Sequence, residues 1–216
     1  SLHDALPICD SYSFKRIKAV LGIHKYKNIY IAEDYWIGVY DLKGQEVSLE
    51  NREDPVRDLF YSKANDKLII ASEDAIAAVN LDEEGRFQEN ESTIQLQYKY
   101  ANGVMIDERI HVITQELRND ENKINIYYGI FEINQDGIQT IQEETFLNTV
   151  PIQEYVYKYE INPQNGIVLC TNASHPLTIL SLNHGSLLLR EDLKGKLFKY
   201  LPKQQEFVMA TYETLE

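Results

Sequence analysis

From Ile17 onward, short apolar runs alternate with clusters of Asn, Asp, Lys, Glu and Gly, a pattern that predicts strands joined by tight turns. The first stretch reads Ile17 to Ile23, a turn over His24 to Asn28, Ile29 to Ala32, a turn over Glu33 to Tyr35, Trp36 to Leu42, then Lys43-Gly44. The second reads Val56 to Tyr61, Lys63 to Lys67, Leu68 to Ala71, Ser72 to Asp74, Ala75 to Leu81, then Glu84-Gly85. Within the inner runs, such as Leu68 to Ala71 and Ile167 to Cys170, the residues are apolar without a break, which predicts strands covered on both faces. The third strands (around Val39, Val79, Ile130 and Ile179) are read as alternating more. No segment of helical length carries a clean helical period.

Laid over one another, the first two stretches match at an offset of 39 residues, Tyr30 to Leu42 against Ile69 to Leu81. The grammar continues. A third unit runs from Tyr98 through Ile110 to Thr114 and Lys123 to Ile133, and a fourth from Tyr155 through Ile167 to Thr171 and Leu177 to Leu182. The third-strand ends Leu42, Leu81, Ile133 and Leu182 are 39, 52 and 49 residues apart, the longer spacing carrying an extra segment, Leu117 to Asn122, expected to be a loop insertion. A fifth unit opens at Lys196 and stops after its second strand. Units of this length with four short strands suit a propeller, in which each sheet buries its faces against its neighbours. A β-sandwich or two small sheets are the structural alternatives. The expected fold is therefore all-β, a β-propeller fragment of about four to five four-stranded antiparallel blades. The expected boundaries are about 15–54, 55–96, 97–150, 151–193 and an incomplete blade over 194–216, after a non-native or unstructured segment over 1–14.

Ile37-Gly38-Val39-Tyr40-Asp41-Leu42 resembles the third-strand signature of WD40-like propellers, with Tyr40 in the Trp position and Asp41 as its acidic partner. Ser72-Glu73-Asp74 resembles the turn that precedes that strand. Val79-Asn80, Phe131-Glu132 and Leu180-Ser181 replace the dipeptide elsewhere, and no Gly-His pair opens a unit. The resemblance implies a propeller that serves as a protein-interaction scaffold.

Charge and composition narrow the partners. A formal charge of −13 argues against nucleic acid and anionic membrane surfaces and favours a basic protein or peptide. Two cysteines, Cys9 and Cys170, make neither a disulfide framework nor a metal set, which points to a reducing, cytoplasmic setting. The tripeptides Asn90-Glu91-Ser92 and Asn172-Ala173-Ser174 fit the glycosylation pattern, which arises often by chance. No apolar stretch is long enough for a transmembrane helix. The opening octet, Ser1 to Ile8, has neither Met nor a basic region and reads as an adapter scar, so the chain is expected to be part of a longer protein with an unpaired propeller edge.

Chemistry is sparse. The histidines His3, His24, His111, His175 and His184 lie apart along the chain without metal-ligand spacing, and neither a nucleophile elbow nor a glycine-rich phosphate loop is present. No cofactor and no catalytic or metal residues are assigned, and a non-catalytic module is favoured. The alternative is a lactonase-like, metal-dependent hydrolase using carboxylates at strand ends. The candidate interaction residues lie in the turns between second and third strands: Glu33, Asp34, Tyr35, Trp36, Glu73, Asp74 and His175. Carboxylates beside aromatic rings suit a polar-rimmed binding surface. The inter-blade connections at Glu50 to Pro55 and Thr149 to Pro151 are expected on the same face. The competing reading of Trp36 is packing between blades, with carboxylates that only solvate turns.

Overall fold

A computed structural model describes residues 17–118, 122–151, 158–171, 177–193 and 197–210. Sequence readings that fall on Cys9, His3, His175, the Asn172–Pro176 turn and the N-terminal segment lie outside these residues. The strands form antiparallel meanders, each sheet taking its strands in chain order. Sheet one contains β1 (Ala19–Ile23), β2 (Asn28–Ala32), β3 (Trp36–Asp41) and β4 (Glu46–Asn51). Sheet two contains β5 (Val56–Ser62), β6 (Lys67–Ser72), β7 (Ala75–Leu81) and β8 (Phe87–Gln95). Sheet three contains β9 (Lys99–Ile106), β10 (Arg109–Arg118), β11 (Lys123–Asn134) and β12 (Gly137–Pro151). Sheet four contains β13 (Lys158–Asn162), β14 (Ile167–Thr171), β15 (Leu177–Ser181) and β16 (Leu187–Arg190), and sheet five contains β17 (Leu197–Leu201) and β18 (Glu206–Ala210).

Two turn types recur, for different reasons. In the third-to-fourth-strand turns the glycines take positive φ: Gly44 at 79°, Gly85 at 78°, Gly137 at 139° and Gly185 at 59°. A side chain upstream holds the loop. Asp41 Oδ1 accepts from the amides of Lys43 and Gln45, and Asp82 Oδ1 accepts from those of Glu84 and Arg86. Asp41, which the WD40 resemblance makes the acidic partner of the signature, is thus occupied in its own turn. In the first-to-second-strand turns the left-handed position falls to Lys27 (56°), Asp66 (55°), Gly166 (64°) and Gln205 (57°), only one of them glycine. In sheet three the equivalent turn is the tighter Asp107-Glu108, with both residues at positive φ as a two-residue hairpin requires.

The chain divides into two compact units. One takes the residues up to Leu96 together with Ile133–Gln139, and the other takes Gln97–Glu132 together with the residues from Thr140 on. In the first, the alternation of β1 to β3 turns Tyr30, Ala32, Ile37 and Val39 to one face, where they share a core with Leu59, Leu68, Ile70, Ala77 and Val79 of sheet two. Polar latches close the same interface. Tyr30 Oη donates to the carbonyl of Gly85 at 2.6 Å, and Asn28 Nδ2 donates to that of Glu84 at 2.8 Å. In the second unit, Ile113, Ile124, Ile126 and Tyr128 pack with Tyr159, Ile161, Val168, Cys170 and Leu180, and Asn102 Nδ2 donates to the carbonyl of Tyr159 at 2.5 Å.

Two local expectations are corrected. β7 does not alternate: every residue but Asn80 is buried, as in β6, because neighbouring apolar residues take up both of its faces. The extra segment after Leu117 is also not purely loop. It lengthens the pairing, Leu117 facing Ile124 and Arg118 facing Lys123.

Candidate functional site

The second-to-third-strand turns of the first unit are tied to its inter-sheet connections by a series of backbone hydrogen bonds. The Glu33 amide closes its own turn on the Trp36 carbonyl at 3.0 Å. Arg52 then donates to the Tyr35 carbonyl at 2.8 Å, and Val56 to that of Asp34 at 2.7 Å. Glu73 donates to the Pro55 carbonyl at 3.1 Å, and Leu96 to that of Asp74 at 2.8 Å. The turn over 33–36, the connection over 52–56 and the turn over 73–74 therefore form one continuous surface, which brings together Glu33, Asp34, Tyr35, Glu73 and Asp74.

The charge on that surface is smaller than its carboxylates suggest. Lys18 Nζ lies 2.9 Å from Asp34 Oδ1, and Arg57 donates to Glu73 Oε2 at 2.5 Å. Arg52 spans both oxygens of Glu91 at 2.8 and 3.4 Å. Pairs this exposed are worth less than about 1 kcal/mol each, so their effect is on local charge more than on stability. The sequence reading missed Lys18 and Arg57. Arg57 is visible as a cation next to the connection, but its pairing depends on the register of β5 against β6.

Tyr35 is 55% exposed, whereas Glu33, Asp34, Glu73 and Asp74 are half-buried. Trp36 differs from its neighbour. It shares a strand face with Gly38 and Tyr40, and both rings close over that glycine. A Cβ placed on Gly38 would lie 2.6 Å from Tyr40 Cε2 and 3.0 Å from Trp36 Cζ3. The indole thus lies along the sheet, half-buried, and Tyr35 is the aromatic residue that projects from the turn.

The second unit holds an open cleft of about 400 Å³, lined by Arg109, His111, Glu132 and Gln164 among others. Arg109 Nε donates to Glu132 at 3.1 Å. His111 Nδ1 lies 2.5 Å from Tyr128 Oη. Burial, with the Arg109 charge adding to it, lowers the imidazole to about 4, and burial raises the Tyr128 phenol to about 12. A base and an acid moved that far apart do not form a proton-transfer pair near neutrality. Cys170 is buried, and its thiol is pushed up by desolvation, which removes it as a nucleophile. His24 and His184 are exposed on separate turns. Among the described residues, no group of three or more His, Cys, Asp or Glu side chains is placed to hold a metal.

No family model matches the chain, and no curated protein matches it in sequence. Solved structures do. The WD40 domain of Neurospora crassa Pan2 is similar over 92% of this chain and 61% of that one, at 12% identity and a TM-score of 0.51. Kluyveromyces lactis Hsv2 is similar over 88% of this chain and 57% of that one, with 12% identity and a TM-score of 0.47. The β-propeller domain of Myceliophteria thermophila Cps50 (Swd1) is similar over 87% and 77%, with 12% identity and a TM-score of 0.45. The chain thus spans less than two thirds of the length of Hsv2 and of the Pan2 domain. At such identity only architecture is shared, and the Pan2 likeness carries it: the four-stranded meanders of this chain have the fold of β-propeller blades.

Proposed function

We propose that the chain is a non-catalytic interaction module that binds a protein or peptide through the Tyr35 surface of its first unit, and that the preferred partner is basic. The observation behind this reading is the series of backbone hydrogen bonds from Glu33 to Leu96, which fixes the turns before any partner arrives. A pre-ordered surface loses little entropy on binding, and an exposed tyrosine ringed by carboxylates offers contact area together with charge selectivity. The net charge of −13 adds attraction at longer range. The sparse cysteine usage supports a cytoplasmic setting on this reading. The hydrolase alternative has no ligand set among the described residues to support it.

The test is binding of the 216-residue chain to an array of basic and acidic peptides, repeated with Tyr35→Ala and with Glu33→Lys combined with Asp74→Lys. Selective capture of basic peptides, weakened about tenfold or more by either change, is expected. Capture that ignores peptide charge, or that survives both variants unchanged, removes this surface as the site.

A further inference from the structure

The longer spacing of the third repeat has a structural product. β10 and β11 are 10 and 12 residues long, against 5 and 6 for β2 and β3 and 6 and 7 for β6 and β7. β9 pairs as far as Gln115, and β10 runs on beyond it, with β11, through Glu116 to Arg118. Glu116 stands directly opposite Asn125, and Tyr127 lies two residues further along β11, so the three share one face.

Rings collect on that face. Tyr98 and Tyr127 stack with centroids 3.6 Å and planes 10° apart, and Phe146 of β12 meets Tyr127 edge-on at 5.8 Å. Tyr127 is buried and Tyr98 half-buried, whereas Phe146 is 56% exposed. A single exposed phenylalanine is ordinary, but this one ends an array of three rings whose supports are fixed. Glu144 accepts from Thr114 Oγ1 and from the Gln97 amide, both at 2.6 Å, which ties the chain entering Tyr98 to β10 and β12. Asn125 Oδ1 accepts from Thr149 Oγ1 of β12 at 2.7 Å.

Glu116 brings charge to the rings. Its Oε2 accepts from Asn125 Nδ2 at 3.0 Å and from Tyr127 Oη at 2.9 Å. Those two bonds, with the Arg118 charge adding to them, hold the carboxyl below its usual range. Both donors are neutral, and among the described residues Glu116 has no ion pair, whereas Asp34 and Glu73 of the first unit are each paired with a cation. Arg118 and Lys123, nearer the hairpin tip, have contacts of their own. Rings beside an unpaired carboxylate complement a basic side chain. Arginine suits them best, because its flat guanidinium stacks on aromatic faces and forks onto carboxylates.

We propose that this face of sheet three docks an extended segment of a partner protein, with an arginine on Glu116 and an apolar side chain two residues away on Phe146. Alternate residues of an extended segment point the same way, which sets that spacing. The rigid supports reduce the entropy lost on docking. The inference does not rest on the Tyr35 surface.

An NMR titration of the 216-residue chain with the peptide acetyl-Ser-Arg-Gly-Leu-Ser-amide tests it. The amides of Glu116, Asn125 and Phe146 are expected to shift. The analogue with neutral citrulline for arginine is expected to bind about fivefold more weakly or worse. Glu116→Gln and Phe146→Ala, with spectra otherwise unchanged, are each expected to weaken the peptide about fivefold or more. Tyr35→Ala is expected to leave its affinity unchanged, which separates this surface from the one proposed above. Four results overturn the proposal: no shift of those amides, equal binding of the citrulline analogue, wild-type affinity in both sheet-three variants, or larger shifts of the same amides with a single-stranded oligonucleotide.

Discussion

Replacing Gly85 with alanine tests the interface between the first two sheets at its tightest point. Gly85 is buried at φ 78°, a left-handed conformation that costs an alanine about 1–2 kcal/mol. A Cβ there would also meet Asn28 Nδ2 at 2.7 Å, Tyr26 Cγ at 2.8 Å and Tyr30 Oη at 2.8 Å. Two of those atoms belong to the latches, Tyr30 on the Gly85 carbonyl and Asn28 on that of Glu84. Displacing one or both forfeits about 1 kcal/mol per bond, so the expected total is about 2–4 kcal/mol. Tyr30→Phe alone is expected to cost about 1–2 kcal/mol, because it strands a buried carbonyl. The two changes are not independent. Removing the hydroxyl relieves part of the clash, so the double variant should be less destabilised than the sum by about 1 kcal/mol. Urea unfolding followed by the fluorescence of Trp36, the single tryptophan, measures all four corners of the cycle. A Gly85→Ala loss below about 0.5 kcal/mol, or strict additivity with Tyr30→Phe, would refute the close-approach argument.

Three further expectations follow from buried and paired groups. The folded-state His111 is lowered from its ordinary 6.5 to about 4, so the unfolded chain binds its proton first as pH falls. The stability it contributes is complete above 6.5 and is lost from there down to about 4. After allowance for its partial exposure, the loss is about 1–2 kcal/mol, measured as the difference between wild type and His111→Gln in urea midpoints at pH 4.5 and 7. Asp66 accepts from Lys25, Tyr26 and Tyr61, joining the turns of the first two sheets, and those bonds hold its carboxyl below the usual range. Asp66→Ala should cost about 1–2 kcal/mol, and an unchanged thermal midpoint would show that the hub contributes nothing. Cys170 should resist a maleimide in the native chain, when followed by peptide mass mapping to separate it from Cys9, and should react once the chain is unfolded in urea; native labelling would contradict its burial.

The interaction turns were visible in the sequence because they interrupt two matching apolar runs, and Glu33, Asp34, Glu73 and Asp74 stand out there as polar residues between strands. Their pairing was not visible. Lys18 reaches Asp34 across sheet one, and Arg57 reaches Glu73 across sheet two. The role of Trp36 was likewise open until β3 put it on the same face as Gly38 and Tyr40, where the missing glycine side chain leaves room for both rings. His111 offered no motif at all. It follows the Asp107-Glu108 turn on the strand that corresponds to β2, and only the fold gives it a place beside Tyr128.

By itself the sequence determined the strands, their order and their repetition. Strand identity is local: apolar alternation, β-branched runs and a glycine after each third strand act over a few residues. It also marked Gly44, Gly85, Gly137 and Gly185 as turn residues, since only glycine takes a left-handed φ at little cost. Lys27, Asp66 and Gln205 take the same φ without a sequence mark, because the strands on either side hold each turn closed and outweigh the local preference. Tertiary structure alone decided which carboxylates pair with a cation and which rings stay exposed. Those depend on side chains that arrive from strands distant in sequence, and on register, which moves a residue from one face of a sheet to the other with a shift of one position.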